Sequence, residues 1–155
     1  MFRIVGFLLF VLGWASPVLA VLQPTKIFSD HMVLQRDAAV PILGQADVGA
    51  SVTVAFAGQS VKGKTDKEGR WKVKLDPMKA STAGCSLEIS SGDQKITIRD
   101  VLVGDVWFAG GQSNMDYKVN GMARRLAEGK ALADAANYPA IRHRKVNERN
   151  AAVPQ

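Results

Sequence analysis

A chain of 155 residues that is 47% hydrophobic and 22% charged has the composition of a folding globular protein, which excludes a disordered tail or a fibrous repeat. Its formal net charge of +6 is mild, and the basic residues are scattered apart from Arg142-His143-Arg144-Lys145, with no interleaved aromatics, which argues against a nucleic-acid partner. The single cysteine, Cys85, excludes an intrachain disulfide, and the two histidines, His31 and His143, have no zinc spacing, so nothing calls for a metal.

The first element is a leader. Within residues 1–20 Arg3 is the only charge, Ile4 to Trp14 is almost continuously apolar, and Ala15 to Ala20 closes on small residues, which is the anatomy of a secretory signal peptide. At a ~1.5 Å rise per residue that apolar run reaches only about half of a ~30 Å hydrocarbon core. The expectation is cleavage near Ala20, a secreted or periplasmic product, and no stable membrane anchor once the leader is gone.

From Pro24 to about Asp100 short apolar-alternating runs recur every 8 to 12 residues or so, separated by Gly, Asp, Pro or Ser, the rhythm of an antiparallel sandwich. Residues 21–100 therefore read as an all-β domain. Three short pieces come first, around Lys26 to Phe28, Met32 to Leu34 and Val40 to Leu43, with Pro41 confining the last to an edge or a strand start. Val52, Val54 and Phe56 then share a face, as do Trp71, Val73 and Leu75, Leu87 with Ile89, and Ile96 with Ile98, because successive strand side chains alternate. Ala57-Gly58-Gln59, Asp66-Lys67-Glu68-Gly69 and Ser91-Gly92-Asp93 supply hairpin turns between them.

After Asp100 the pattern changes. Val101 to Ala109 has little alternation, as in a strand buried on both faces of a parallel sheet, and Trp107 is expected to pack within it. Gly110-Gly111-Gln112-Ser113-Asn114 follows as a turn. Met115, Val119, Met122, Leu126 and Ala133 then fall near helical spacing, until Tyr138-Pro139 stops the helix. One such strand and one helix cannot cover both faces of a parallel sheet, so more chain is expected beyond Gln155, and the Val101 to Phe108 strand should expose apolar surface and a bare edge.

A serine in a tight turn between a buried strand and a helix lies at the edge of the sheet where open α/β sheets gather ligands. Free backbone N–H groups at the helix start can stabilise an oxyanion there. The same Ser113-Asn114 pair also suits a helix N-cap after a Gly-Gly turn, and a hydroxyl needs an adjacent base to act as a nucleophile.

Four segments together resemble the sialate O-acetylesterases: Phe28-Ser29-Asp30-His31-Met32-Val33-Leu34-Gln35-Arg36, then Asp66 to Trp71, then Val103-Gly104-Asp105-Val106-Trp107, and Gly111-Gln112-Ser113-Asn114-Met115. The resemblance runs from about Ile27 to Ile141. It implies a β-sandwich followed by the first strand-turn-helix of a flavodoxin-like α/β/α domain of the SGNH-hydrolase type, incomplete over residues 101–155. It further implies hydrolysis of O-acetyl groups on sugars, with Ser113 as catalytic nucleophile and its backbone N–H in the oxyanion hole, and no cofactor. Such enzymes also use an Asp-x-x-His element, and this chain contains none. His143 sits in a basic cluster that disfavours its protonated form, and His31 reads as a structural turn residue. Two other readings stay open: an acetyl esterase of plant polysaccharides such as xylan, and a non-catalytic β-sandwich binding or accessory module.

Overall fold

The computed structural model describes residues 21–111, 115, 118, 121, 123–126 and 128–146. The expected leader over residues 1–20, the expected nucleophile Ser113 and the register positions Val119 and Met122 lie outside the described residues. Within them the elements are β1 (Gln23–Pro24), β2 (Val33–Gln35), β3 (Val40–Gln45), β4 (Ser51–Phe56), β5 (Gln59–Lys64), β6 (Arg70–Leu75), β7 (Ser81–Ser91), β8 (Gln94–Gly104) and α1 (Gly129–Ala135).

Strict alternation makes the strands two-sided, and two sheets close over the apolar side. One sheet has the order β1-β3-β6 and the other β2-β8-β7-β4-β5. Ile42 and Leu75 from the first sheet and Val52, Val54, Leu87 and Ile89 from the second are wholly buried in one core cluster. Truncating any one of the larger side chains to alanine would cost about 2 to 5 kcal/mol by lost burial and the cavity left behind. The intervening Lys72 and Lys74 of β6 face solvent.

The turns follow local chemistry. β4 and β5 pair along their full lengths, Phe56 opposite Gln59, and Ala57 and Gly58 between them both have positive φ, 47° and 80°, the backbone that a two-residue hairpin requires. Gly92, at φ 54°, opens the two-residue loop between β7 and β8. Pro41 is tolerated in β3 because β1 reaches only Gly44 and Gln45 on that side, so the missing N–H faces no partner strand.

Three expectations are corrected. Lys26 to Phe28 is a turn rather than a strand: Phe28 N–H donates to Thr25 O at 3.0 Å, and the strand in this region is β1. The run Val101 to Ala109 does not form one buried strand. Val101, Leu102 and Val103 are buried, but they are the second half of β8 within the sandwich sheet, and residues 105–111 leave that sheet without regular structure. The cause is the partner: β2 ends at Gln35, opposite Gly104, and past that pair no neighbouring strand accepts the ladder. Trp107 and Phe108 are consequently 88% and 95% exposed. Of the expected helix the described residues show Gly121, Ala123 and the seven residues of α1 as helical, α1 having no side-chain cap and no acidic residue in its first turn. Leu126 and Leu132 remain exposed, so helical periodicity finds no packing surface here to reinforce it.

The two tryptophans therefore separate in a stability measurement. By chemical denaturation Trp71→Ala, at a 2% exposed position, is expected to cost about 3 to 5 kcal/mol. Trp107→Ala should stay within about 0.5 kcal/mol of the parent, and a loss at Trp107 as large as at Trp71 would contradict this fold.

Candidate functional site

The corner where β2 meets the end of β8 brings together two segments that are far apart in sequence. β2 runs parallel to β8, with Val33 opposite Leu102, Leu34 opposite Val103 and Gln35 opposite Gly104. Flanking backbone bonds extend the pairing: His31 N–H to Arg99 O at 3.0 Å, Leu102 N–H to Met32 O at 3.0 Å, and Arg36 N–H to Gly104 O at 2.9 Å.

Side chains reinforce both ends. Beyond Gly104, the Arg36 Nε donates to Asp105 Oδ1 at 2.9 Å, and the Val106 N–H donates to Gln35 Oε1 at 2.9 Å. At the other end the Arg99 N–H donates to Asp30 Oδ1 at 2.7 Å. Asp30, Gln35 and Arg36 thus set where the chain lies as it enters and leaves the parallel pair. Arg36 also lies 3.9 Å from Asp37, whose second partner is Lys79 at 2.7 Å.

Asp100 is the irregular point. Between the pairs Leu87–Ile98 and Cys85–Val101, β8 carries one residue more than β7, a bulge that re-aims a side chain, and Asp100 there adopts φ 53°. Its carboxylate lies over Gly84, where a Cβ would sit 2.1 Å from Oδ1, so only glycine leaves room. Oδ2 meets His31 Nδ1 at 2.6 Å and Arg142 Nη2 at 2.9 Å, and Arg142 Nη1 also donates to Asp100 O. His31 itself has φ 63°, a left-handed backbone that histidine and aspartate adopt more readily than most residues. The hydrogen bond from His31 and then that from Arg142 hold the Asp100 carboxyl below the usual carboxylate range.

His31–Asp100 has the outward form of a catalytic His-Asp pair, yet its connections are structural. Asp100 shares one oxygen between the imidazole and a guanidinium, and the His31 side chain is 70% exposed. The basic cluster that reads in sequence as a solvated face is partly docked: Arg142 binds Asp100, and Arg144 Nη1 donates to Ser29 Oγ at 2.7 Å. The segment after α1 is thereby tied back to the Phe28–Arg36 motif. His143 stays exposed.

Ser113 lies outside the described residues, but its flanks are described. A Cβ on Gly111 would meet the Met115 side chain. No group of three or more His, Cys, Asp or Glu side chains that could hold a metal occurs among the described residues, and no described helix is long and apolar enough to cross a membrane. The sequence reading missed the polar ties of Asp30, Gln35, Arg36 and Asp100. The available signal was Asp30, Gln35 and Arg36 inside the Phe28–Arg36 motif, polar residues that periodicity alone leaves to a short apolar strand.

Comparison with known proteins gives a consistent picture. The chain is 35% identical over 126 residues to the sialate O-acetylesterase of Mus musculus, covering 73% of this chain and 22% of that protein. It is 32% identical over 156 residues to the sialate O-acetylesterase of Homo sapiens, covering 90% and 28%. Among solved structures it matches a carbohydrate acetylesterase from Xanthomonas citri with a TM-score of 0.68 at 34% identity, over 77% of this chain and 26% of that one. The chain thus spans about a quarter of the length of these relatives. No protein-family profile matches it.

The corner carboxylates Asp37 and Asp100, together with Asp66 in the β5–β6 turn, set a pH dependence. Asp37, Asp66 and Asp100 all titrate below the ordinary range when folded. Their contribution is present above the unfolded value near pH 4 and is lost as pH falls through the lowered folded values. The denaturation midpoint should therefore fall as pH drops from about 5 towards 2, more steeply at low salt. Asp100→Asn should flatten part of that fall, and an unchanged slope would contradict the role given to this carboxylate.

Proposed function

Since this chain belongs to the sialate O-acetylesterase family over the region it shares with these relatives, we propose that it is the N-terminal part of a serine esterase that removes O-acetyl groups from carbohydrates. The observation that carries this reading is the match to the Xanthomonas citri carbohydrate acetylesterase in fold and sequence together. That the Phe28–Arg36 and Val103–Trp107 motifs bind one another through Arg36–Asp105 and Gln35–Val106 supports it, because the segment they hold leads in sequence to Ser113. The substrate is taken at the level of an O-acetylated sugar or glycan; the Xanthomonas citri relative, named for carbohydrates in general, keeps plant polysaccharides such as xylan within that class.

In this mechanism the Ser113 Oγ attacks the acetyl carbonyl while a base takes its proton. The Ser113 backbone N–H helps stabilise the resulting oxyanion, and collapse releases the sugar hydroxyl. Water then attacks the acyl-enzyme, and acetate leaves. No Asp-x-x-His element occurs in the 155 residues, so the base comes from another part of the esterase, and the residues after β8 lead into its SGNH-type α/β domain. Residues 1–20 act as an export signal, which N-terminal sequencing of the exported protein tests by a start at or near Val21.

Expressed alone, residues 21–155 should hydrolyse an activated acetyl ester no faster than their Ser113→Ala variant. The reading frame continued past codon 155 should supply an Asp-x-x-His, and in that longer protein Ser113→Ala should lower acetate release by about 10³-fold or more. An undiminished rate in the longer variant would sink the assignment of Ser113.

A further inference from the structure

The charge of the chain is not evenly spread over its sandwich. Residues 59–75, which make up β5, its turn and β6, contain six cations and two carboxylates, an excess of four in a chain of formal net charge +6. Both carboxylates are spent on one cation: Arg70 Nε lies 3.0 Å from Asp66 and Arg70 Nη2 lies 3.1 Å from Glu68. Elsewhere Lys79 pairs with Asp37, Lys95 with Glu88, Arg36 with Asp105 and Arg142 with Asp100. Lys62, Lys64, Lys72 and Lys74 form no ion pair among the described residues, and all four are exposed.

The fold gathers these four onto one corner. β5 is the edge of the five-stranded sheet and β6 the edge of the three-stranded sheet. They run side by side: the Gln59 side chain bonds the backbone N–H and O of Asp76 at 2.7 and 3.3 Å, and a Cβ on Gly63 would touch Val73 Cγ2 at 3.1 Å. Along each strand the lysines are two residues apart, about 6 to 7 Å. On β6 they stand opposite an apolar strip, Lys72 facing Leu43 and Lys74 facing Pro41.

We propose that this β5–β6 corner is a docking surface for an anionic polysaccharide, with Lys62, Lys64, Lys72 and Lys74 meeting its repeated carboxylates and the Pro41–Leu43 strip lying under its rings. Two pairs of ammonium groups, each spaced along an edge strand of the same corner, suit a polymer of spaced charges. The corner has no aromatic side chain on which bases could stack, which separates it from a nucleic-acid groove. The choice of a polysaccharide rests on the carbohydrate reading above; the charge pattern stands without it. Such a surface would hold the chain against an acidic glycan independently of the acetyl chemistry.

The test is affinity electrophoresis of residues 21–155 through gels containing polygalacturonate, its fully methyl-esterified form, or double-stranded DNA. Retardation is expected in polygalacturonate at low salt, fading as salt rises, with little in the uncharged polymer. Replacing all four lysines by glutamine should weaken retardation at least tenfold with an unchanged melting temperature. The pairs Lys62→Gln/Lys64→Gln and Lys72→Gln/Lys74→Gln should each weaken it partially, should the fourfold variant fail to fold. The control Lys26→Gln/Lys118→Gln should leave it unchanged. The proposal is overturned by equal retardation of the lysine variants, by equal binding to the esterified polymer, or by preference for DNA. Acetate release from a small activated ester by the longer protein should be the same with and without the four lysines, so a failure of docking and a failure of the esterase reading are told apart.

Discussion

The arrangement of the corner depends on one parallel pairing, that of Val33–Gln35 with Leu102–Gly104. Every other strand pair among the described residues is antiparallel and can be traced to a hairpin or to the closing of the core. This pair joins segments 69 residues apart, as the Arg36–Asp105 and His31–Asp100 contacts do. Loop-closure entropy rises only slowly with loop length, about 0.6 kcal/mol per doubling, so a sandwich already closed by its core can hold such a contact. The burial of Val101, Leu102 and Val103 supplies the apolar reason for the strand to stay, and the polar ties decide where it leaves.

The ties differ in kind. Backbone bonds across β2 and β8 share the protection of the sheet, whereas Arg36–Asp105 and His31–Asp100 are exposed and individually weak in water, and Arg142–Asp100 is half-buried. Their effect is directional: each fixes the path of a segment whose energy comes from elsewhere. The bulge at Asp100, with Gly84 kept bare beneath it, lets one carboxylate hold both the turn before β2 and the segment after α1.

The sandwich was legible in the sequence wherever the cause was local. Val52-Val54-Phe56 and Trp71-Val73-Leu75 announced their inward faces because strand side chains alternate, and Ala57-Gly58 and Gly92 marked their turns by backbone freedom. What was not legible depended on partners distant in the chain. Val101 to Ala109 is apolar throughout, and nothing in that run states that β2 ends opposite Gly104. Lys26 to Phe28 was too short for alternation to outweigh a local turn. The His31–Asp100–Arg142 contact needs the bulge, which periodicity does not encode. Ser113 was singled out by its motif and lies outside the described residues, and the polar residues that tie β2 to the end of β8 emerged only with the fold.

The claim on which the account rests is that the Phe28–Arg36 motif holds the segment leading to Ser113, and amide hydrogen exchange tests it most directly. The Leu102 and Arg36 amides, bonded to Met32 O and Gly104 O, should exchange as slowly as those of the β4–β7 pairing, while Gln35→Ala should release the Val106 amide alone. Exchange of Leu102 and Arg36 at the rate of the exposed residues 107–111 would show that the pairing does not form in solution, and the account would fail with it.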